Sequence, residues 1–234
     1  MLSRFAHAAS ATSSVLRGGA GSRVLARGAR PERLLELYEF EACPFCRKVR
    51  EALSMLDLEA MVHPCPKGGT RFRPGVVERG GRSSFPYLVD PNGDLALYES
   101  DDIVAYLFER YGDGVVPRAL RPGWPMRVTT VLAGLPRLGA GGFARPGRVP
   151  EAPLQLFSYE SSPGARRVRE SLSSLELRYR LTNVAAGSAH QDALRDRSGA
   201  DTVPWLDDPN TGTGIAGAEP IRDYLTRTYA TGGS

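Results

Sequence analysis

The sequence predicts an α/β protein made of two tandem copies of one β-α-β-α-β-β-α unit, and three observations lead to this prediction. A strand, a helix and a second strand of suitable lengths imply a parallel βαβ unit. The hydrophobic period changes from strand-like to helical at residue 43. The pattern of residues 37–111 recurs at 156–229. A length of 234 residues suits two small domains with additional segments.

The first copy begins with a mostly apolar strand, Leu34 to Phe40, which ends at a cysteine motif. A helix is predicted from Cys43, because apolar residues recur at i, i+4 and i+7 and so share one helical face. These residues are Val49, Leu53 and Leu56. Leu58 to His63 follows as a second strand, which completes the parallel unit.

A weak helix, a hairpin and a final helix complete the first copy. Residues 67–84 are rich in glycine and arginine and only weakly helical. A strand over 87–89, a turn over 90–93 and a strand over 94–98 predict a hairpin. Ser100 is the predicted N-cap of the last helix, whose first turn carries two aspartates that suit its positive end.

The second copy keeps the frame of the first without its thiols. The order of residues 41–51, an acidic residue, proline, a basic pair, valine and Arg-Glu, recurs with Ser162 in place of Cys43 and Ala165 in place of Cys46. The chain therefore carries its own control, because residues that the fold needs recur and residues that serve chemistry do not.

The cysteine pair is a candidate catalytic site. Cys43 is predicted at the N-terminus of a helix, where unpaired N–H groups and the dipole lower the pKa of a thiol. Cys46 lies one turn further, close enough to close a disulfide. A C-x-x-C motif on a βαβ turn favours redox chemistry. The alternative is metal ligation by four residues with suitable side chains: Cys43, Cys46, His63 and Cys65.

A repeated proline marks a second part of this site. Phe85-Pro86 corresponds to Val203-Pro204 in the second copy, which indicates a structural role. A cis bond before the proline would turn the backbone N–H and C=O of Phe85 towards the cysteines. A peptide-like thiol is then able to pair with that backbone as an added strand.

The residues of the first copy resemble a known domain. The strand, the motif Cys-Pro-Phe-Cys at 43–46, the Phe-Pro at 85–86 and Tyr-Glu-Ser-Asp at 98–101 look like the thioredoxin-fold domain shared by glutaredoxins and the N-terminal half of glutathione S-transferases. The similarity spans the whole first copy and is closest to tandem glutathione-transferase-N-like proteins of plants and algae. It implies two tandem thioredoxin-like domains.

The resemblance also implies roles for six residues. Cys43 would be the nucleophile and Cys46 the resolving thiol, with glutathione as the co-substrate. The glutathione-binding residues would be Phe85, Pro86, Glu99 and Ser100. The second copy has Gly217-Ala218 in place of the last two, so it has lost this pocket together with both thiols.

Composition divides the chain into four parts. Residues 1–31 contain five arginines, many serines and alanines and no acid, which is typical of an organelle targeting peptide, for a plastid or alternatively a mitochondrion. We predict thioredoxin-like domains over 34–112 and 153–230, joined by a linker over 113–152 that contains one short apolar segment. Without the first 31 residues, 25 basic residues face 26 acidic ones, which argues against nucleic-acid binding.

The predicted function is glutathione-dependent thiol–disulfide oxidoreduction through Cys43 and Cys46. Its partners would be glutathione and oxidised or glutathionylated proteins or small disulfides, with no membrane-spanning segment. Three alternatives stay open: a protein that binds glutathione with an Fe–S cluster or another metal, a glutathione S-transferase or isomerase, and a non-catalytic interaction module. The sequence leaves the oligomeric state open.

Overall fold

The predicted α/β architecture is confirmed. A computed structural model describes residues 20–121, 139–199 and 201–232. In these residues both copies contribute to one mixed sheet. The first copy supplies strands β1 (Leu35–Glu39), β2 (Ala60–Pro64), β3 (Tyr87–Asp90) and β4 (Leu95–Leu97) and helices α1 (Pro44–Leu56), α2 (Arg73–Gly80) and α3 (Ser100–Tyr111).

The second copy repeats this order. It supplies strands β5 (Leu154–Ser158), β6 (Tyr179–Asn183), β7 (Trp205–Asp208) and β8 (Thr213–Ala216) and helices α4 (Pro163–Ser174), α5 (Gln191–Ser198) and α6 (Ala218–Tyr229). The strand order across the sheet is β4-β3-β1-β2-β6-β5-β7-β8. Helix α1 packs beside α3 and α4 beside α6, and each pair covers an apolar cluster that includes inward residues of its own strands.

The last helix of the first copy begins one residue earlier than the sequence indicated. Glu99, not Ser100, occupies the N-cap position of α3, and Ser100 is the first helical residue. The backbone of Glu99 has a φ of 64°, in the left-handed region that residues other than glycine rarely adopt. Gly217 holds the same position before α6, with φ of 87°.

Each hairpin is fixed to the helix that follows it by one buried aspartate. The Asp90 carboxylate accepts hydrogen bonds from the hydroxyls of Tyr106, at 2.6 Å, and Tyr111. Asp208 accepts the same pair of bonds from two tyrosines of α6, Tyr224 and Tyr229. These bonds lower the pKa of both carboxyl groups although burial alone would raise it. Because both copies keep the arrangement, it belongs to the fold and not to the chemistry.

The two copies are joined through the strands that would otherwise be sheet edges. Strand β2 pairs antiparallel with β6, and Met61 lies opposite Arg180, its own equivalent in the second copy. An approximate two-fold axis therefore passes between these two residues, as in an isologous dimer interface. The pairing removes two exposed edges, which would otherwise favour aggregation.

Buried charges cross this interface in reciprocal pairs. Arg50 of α1 donates to Glu160 at 2.9 Å, and Arg169 of α4 donates to Glu41 at 2.9 Å. All four side chains are almost wholly buried. Arg50 also contacts Glu39, a residue whose equivalent in the second copy is Ser158. The first copy therefore places one more carboxylate in this network than the second.

A short arm precedes the first copy and lies across both copies. In this first arm, residues 20–28, the amide of Val24 donates to the carbonyl of Ala186 in the second copy at 2.9 Å. The amide of Gly28 donates to the carbonyl of Tyr111 in the first copy at 3.1 Å. The arm therefore connects both copies.

An equivalent arm precedes the second copy. In this second arm, residues 139–148, the amide of Ala144 donates to the carbonyl of Lys67 in the first copy at 2.9 Å. The amide of Arg148 donates to the carbonyl of Tyr229 in the second copy at 2.7 Å. The repeated unit therefore extends upstream of residues 34 and 153, where the sequence placed the domain starts.

Two predicted segments fall partly outside the described residues. Of the predicted targeting peptide, residues 1–19 lie outside them, so organelle targeting stays a prediction, whereas residues 20–31 lie along the folded body. Of the predicted linker, the apolar segment lies outside the described residues. Among the residues that the structure describes, no helix has the length and apolar character needed to cross a membrane.

The reciprocal charge pairs lead to a stability prediction. Replacing Arg169 with leucine should lower the free energy of unfolding by about 3–5 kcal/mol, because Glu41 and Glu160 would stay buried with one cation fewer. Chemical denaturation followed by circular dichroism measures the change. The control is Arg180→Ala, which removes a partly exposed arginine paired with Glu59 and should cost about 1 kcal/mol or less. Equal losses in both variants would contradict the assigned role of the network.

Candidate active site

The cysteine motif lies where β1 passes into α1. Cys43 is the N-cap of α1, and its Sγ accepts a hydrogen bond from the amide of Cys46 at 3.4 Å. Ser162 caps α4 in the same way, with its Oγ accepting from the amide of Ala165 at 3.2 Å. The cap needs only an acceptor atom, and serine is a common residue for it. A thiol at residue 43 is therefore more than the fold requires.

The two thiols of the motif differ in acidity. Hydrogen bonding from Cys46 lowers the pKa of the Cys43 thiol, with the backbone amides of Cys46 and Phe45 adding to this, although burial opposes the shift. Burial raises the pKa of Cys46 well above its ordinary value, and the neighbouring Cys43 adds to this rise. The Cys43 thiol is thus the more acidic of the two, and Cys46 lies within hydrogen-bond reach of it.

The proline motif adds a backbone carbonyl to the same place. The Phe85–Pro86 peptide bond is cis, as is Val203–Pro204. The carbonyl oxygen of Phe85 lies 3.9 Å from Sγ of Cys43. The structure thus brings together Cys43, Cys46 and Phe85, as the sequence predicted for this part of the site.

The start of α3 is held beside α1 by an ion pair. Lys48, one turn beyond the motif, contacts the carboxylate of Asp101 next to Ser100. In the second copy, Arg167 and Glu219 form the same link between α4 and α6. Ser100 is buried, whereas the carboxylate of Glu99 is largely exposed and accepts a hydrogen bond from Arg82 at 3.1 Å. The pair Glu99-Ser100 is therefore positioned by a contact that belongs to the fold.

Arginine side chains surround the thiol site without forming one continuous basic surface. The Arg73 guanidinium lies 4.7 Å from the ring centre of Phe85, and that of Arg82 lies 4.3 Å from the ring centre of Tyr98. Arg79 pairs with Glu36, which lies on β1, the strand that leads to the cysteine motif. Arg71 instead donates to backbone carbonyls of the second copy. Arg73 and Arg82 are the members of the run that contact predicted ligand residues, Phe85 and Glu99 respectively.

The alternative metal site is not assembled. Cys65 is fully buried, its Sγ donates to the carbonyl of His63 at 3.4 Å, and burial raises the pKa of its thiol. The His63 ring stacks on Tyr38 with its centre 4.4 Å away, and burial lowers its pKa to about 4. In the described part of the chain, no group of three or more Cys, His, Asp or Glu side chains is arranged to hold a metal ion. All three cysteines are free thiols.

Glu39 is a further residue of the site, and its place in the sequence, four residues before Cys43, already indicates that its charge opposes formation of the thiolate. It ends β1 beneath the cysteine motif and is completely buried, and burial raises its pKa to about 7 even though Arg50 contacts it. Its negative charge raises the pKa of both Cys43 and Cys46. A comparison of the two copies links Glu39 to the thiols, because the second copy, which has lost both thiols, also has Ser158 in place of Glu39.

An open groove of about 440 Å³ lies elsewhere, on the sheet near the junction of the copies. Its lining includes Met61, Arg180 and Asp207 and none of the cysteines. Arg180 is paired with Glu59, and Asp207 is paired with an arginine of α5. The groove is therefore lined by paired charges and contains no thiol.

Comparison with known proteins gives one family and a few similar structures. The family described as glutathione S-transferase, N-terminal domain, matches residues 37–115 and 156–232. The structure of the Bombyx mori glutathione transferase BmGSTD1 has 25% sequence identity and a TM-score of 0.34, over 38% of this chain and 42% of that chain. The chain therefore matches less than half of the silkworm enzyme.

A second similar structure is TDR1 of Leishmania, described as a unique trimeric glutathione transferase. It has 15% identity and a TM-score of 0.32, over 86% of this chain and 68% of that chain. No curated protein matches the sequence significantly.

The position of Glu39 predicts how the thiol should respond to pH. Glu39→Gln should leave the reactivity of Cys43 unchanged below about pH 7, where the carboxyl group of Glu39 is already protonated. Above that pH the variant should react faster than the wild type, because the charge that raises the pKa of Cys43 is gone. The rate of iodoacetamide labelling across pH 5–9 measures this, with Glu36→Gln as the control. Identical profiles for all three proteins would refute a role for Glu39.

Proposed function

Because the chain belongs to the glutathione S-transferase N-terminal-domain family, which matches most of both copies, we propose that its first domain is a glutathione-dependent thiol–disulfide oxidoreductase. One observation carries the proposal. Cys43 combines a lowered pKa with a protonated Cys46 in hydrogen-bond contact, and the second copy retains the helix cap without either thiol.

The proposed reaction is a pair of thiol–disulfide exchanges. The Cys43 thiolate attacks the glutathione sulfur of a mixed disulfide between glutathione and a substrate thiol. A bond from Cys43 to glutathione forms, and the substrate leaves as a thiolate that takes a proton from water. A second glutathione thiolate then attacks this bond, restores the Cys43 thiolate and departs as oxidised glutathione. The substrate is reduced, and two glutathione units end as one disulfide.

Cys46 offers a second route for the intermediate. Its sulfur is in hydrogen-bond contact with Cys43, so its deprotonated form is placed to attack the Cys43–glutathione bond and release glutathione. This route leaves an intramolecular disulfide that needs two further glutathione molecules for reduction. The raised pKa of Cys46 slows this route at neutral pH, which favours resolution by free glutathione.

Four residues are proposed to hold glutathione. The backbone of Phe85 beside Pro86 would pair with its cysteinyl part, since the Phe85 carbonyl already lies near the Cys43 sulfur. Ser100 and the free amides at the start of α3 would bind the γ-glutamyl carboxylate, and Glu99 its ammonium group. The unfavourable φ of Glu99 supports this assignment, because strained side chains persist where function needs them.

A glutathione transferase acting on small electrophiles is the second candidate, and family membership is the observation that favours it. A transferase would use the same bound glutathione, but its reaction contains no disulfide for Cys43 to attack. Conjugation of 1-chloro-2,4-dinitrobenzene separates the two candidates, because only a transferase consumes glutathione with that reagent.

The first test removes the thiols one at a time. Cys43→Ser should reduce turnover of the glutathione–mercaptoethanol mixed disulfide by at least about 100-fold, since a hydroxyl is a far weaker nucleophile at neutral pH. Cys46→Ser should keep activity that depends on free glutathione. Formation of oxidised glutathione, followed with glutathione reductase and NADPH, measures the rate. Ser162→Ala is the matched control in the second copy. Full activity in Cys43→Ser would eliminate the mechanism.

The second test replaces Glu99 with glycine, the residue that the second copy has at the equivalent position, Gly217, before α6. Glu99→Gly should raise the free energy of unfolding by about 1 kcal/mol, because glycine tolerates the positive φ. It should weaken glutathione binding by about tenfold or more, because an ionic partner is lost. Asp94→Gly, at φ of 48° in the hairpin turn, should show no change in affinity. Denaturation and calorimetric titration measure the two effects. Unchanged affinity in Glu99→Gly would remove this residue from the binding site.

A further inference from the structure

We propose that the second domain binds the phosphate group of a small molecule in a polar cavity of its own, through Arg145 and Arg222. The cavity has a volume of about 200 Å³ and lies between the second arm and the helices α4 and α6. This inference goes beyond the proposed oxidoreductase function and does not depend on it, because none of the cysteines lines the cavity. It gives the domain without thiols a ligand.

The two arms are aligned by a backbone bond that both copies make. The amide of Leu25 donates to the carbonyl of Met55 at 2.8 Å, and the amide of Arg145 donates to the carbonyl of Ser174 at 2.7 Å. The same bond therefore joins two apolar residues in the first copy and two polar residues in the second. Arg145 and Ser174 both line the cavity.

The other lining positions show the same exchange. When α1 is aligned with α4 and α3 with α6 from their N-cap residues, the positions in the first copy are apolar, at most 4% exposed and part of its core: Ala52, Met55, Val104 and Phe108. In the second copy they are polar and line the cavity: Ser171, Ser174, Arg222 and Thr226. The fold does not need polar side chains here, and a cavity in place of packed apolar groups lowers stability. A ligand that needs these side chains is a reason to keep them.

The acid of the lining belongs instead to the repeated frame. Glu170 lines the cavity, and its equivalent in α1 is Glu51. A side-chain carbon on Gly141 would lie 3.0 Å from Cα of Glu170, and one on Gly21 would lie 3.4 Å from Cα of Glu51. Both copies thus bring an arm against the same glutamate. The arginines are specific to the cavity, and two of them face this one acid in the lining.

Several donors of the cavity have unused hydrogen-bonding capacity. Arg222 donates through one terminal nitrogen to the half-exposed carboxylate of Glu219 at 3.1 Å, whereas its Nε is buried and has no hydrogen-bond partner among the described residues. The guanidinium group of Arg145 and the hydroxyl of Ser174 make no hydrogen bond to any residue that the structure describes. A buried donor without an acceptor is costly, so the cavity is short of acceptor atoms.

The donor set defines the class of ligand. A guanidinium group presents a planar fork of N–H donors that matches the oxygens of a phosphate, and a hydroxyl adds a further donor. A phosphate group has enough oxygens to accept from Arg145, Arg222 and Ser174 together. The small volume limits the ligand to inorganic phosphate or a small phosphomonoester.

The test measures phosphate binding to the full-length protein. Sodium phosphate is titrated at neutral pH and constant ionic strength, and binding is followed by phosphorus NMR line width. We expect a Kd of about 0.1–1 mM, the affinity that two or three charge-assisted hydrogen bonds supply. Arg222→Val and Arg145→Leu, which introduce the residues of the first copy, should each weaken binding by at least about tenfold. Glycerol phosphate is titrated in parallel, and the tighter of the two ligands shows whether a phosphomonoester or the free ion is preferred.

Controls make the result specific. Arg227→Ala, on α6 outside the cavity, should keep the wild-type affinity, and Cys43→Ser should also bind phosphate like the wild type. Both cavity variants should fold, because the first copy already accommodates these residues, and circular dichroism checks this. Absence of binding to the wild type at concentrations about tenfold above the expected Kd would overturn the site. Unchanged affinity in both cavity variants, or an equal fall in Arg227→Ala, would overturn it as well.

Discussion

The structure depends on a set of charges buried between two copies of the same fold. Arg50 and Arg169 cross the approximate two-fold axis, and each is satisfied by acidic residues of both copies. Removing such charges from water is costly and is repaid only when partners and geometry are complete. Complete geometry requires both copies, because Glu41 of the first and Glu160 of the second each contact both arginines. The second copy is therefore part of the structure that positions the first.

The buried charges at this interface also affect the cysteine motif. Glu160, which accepts from both arginines, has its pKa lowered to about 2, although burial opposes that shift. Glu39 lies on the side of the same network that faces the cysteine motif, and burial raises its pKa to about 7. Two carboxyl groups in one buried cluster thus have opposite shifts, because Glu160 is matched by cations of both copies and Glu39 is the additional acid. The protonation of Glu39 near neutral pH then affects the thiols above it.

Duplication separates structural residues from chemical ones within a single chain. The helix caps, the prolines with cis bonds, the hairpin aspartates and the ion pair between the first and last helices occur in both copies. The thiols, the exposed ring of Phe45, and Glu39 occur only in the first. Glu99 shows the difference most directly, because glycine holds its strained position in the copy that has no site. The cost of keeping a side chain there is a reason to assign it a function.

The sequence by itself determined the element order, the duplicated unit and the residues of the cysteine motif. Hydrophobic period, proline and turn residues are local signals, and the repeat doubled each of them. It also placed Phe85 beside the cysteines. Only the tertiary structure decided what depends on contacts between distant segments: the buried role of Glu39, the burial of Cys65 and the partners of Arg71. Only the structure also shows that residues 20–28 and 139–148 are equivalent arms. Each arm is held by a few backbone hydrogen bonds, and such bonds do not require a periodic pattern of hydrophobic residues that the sequence would reveal.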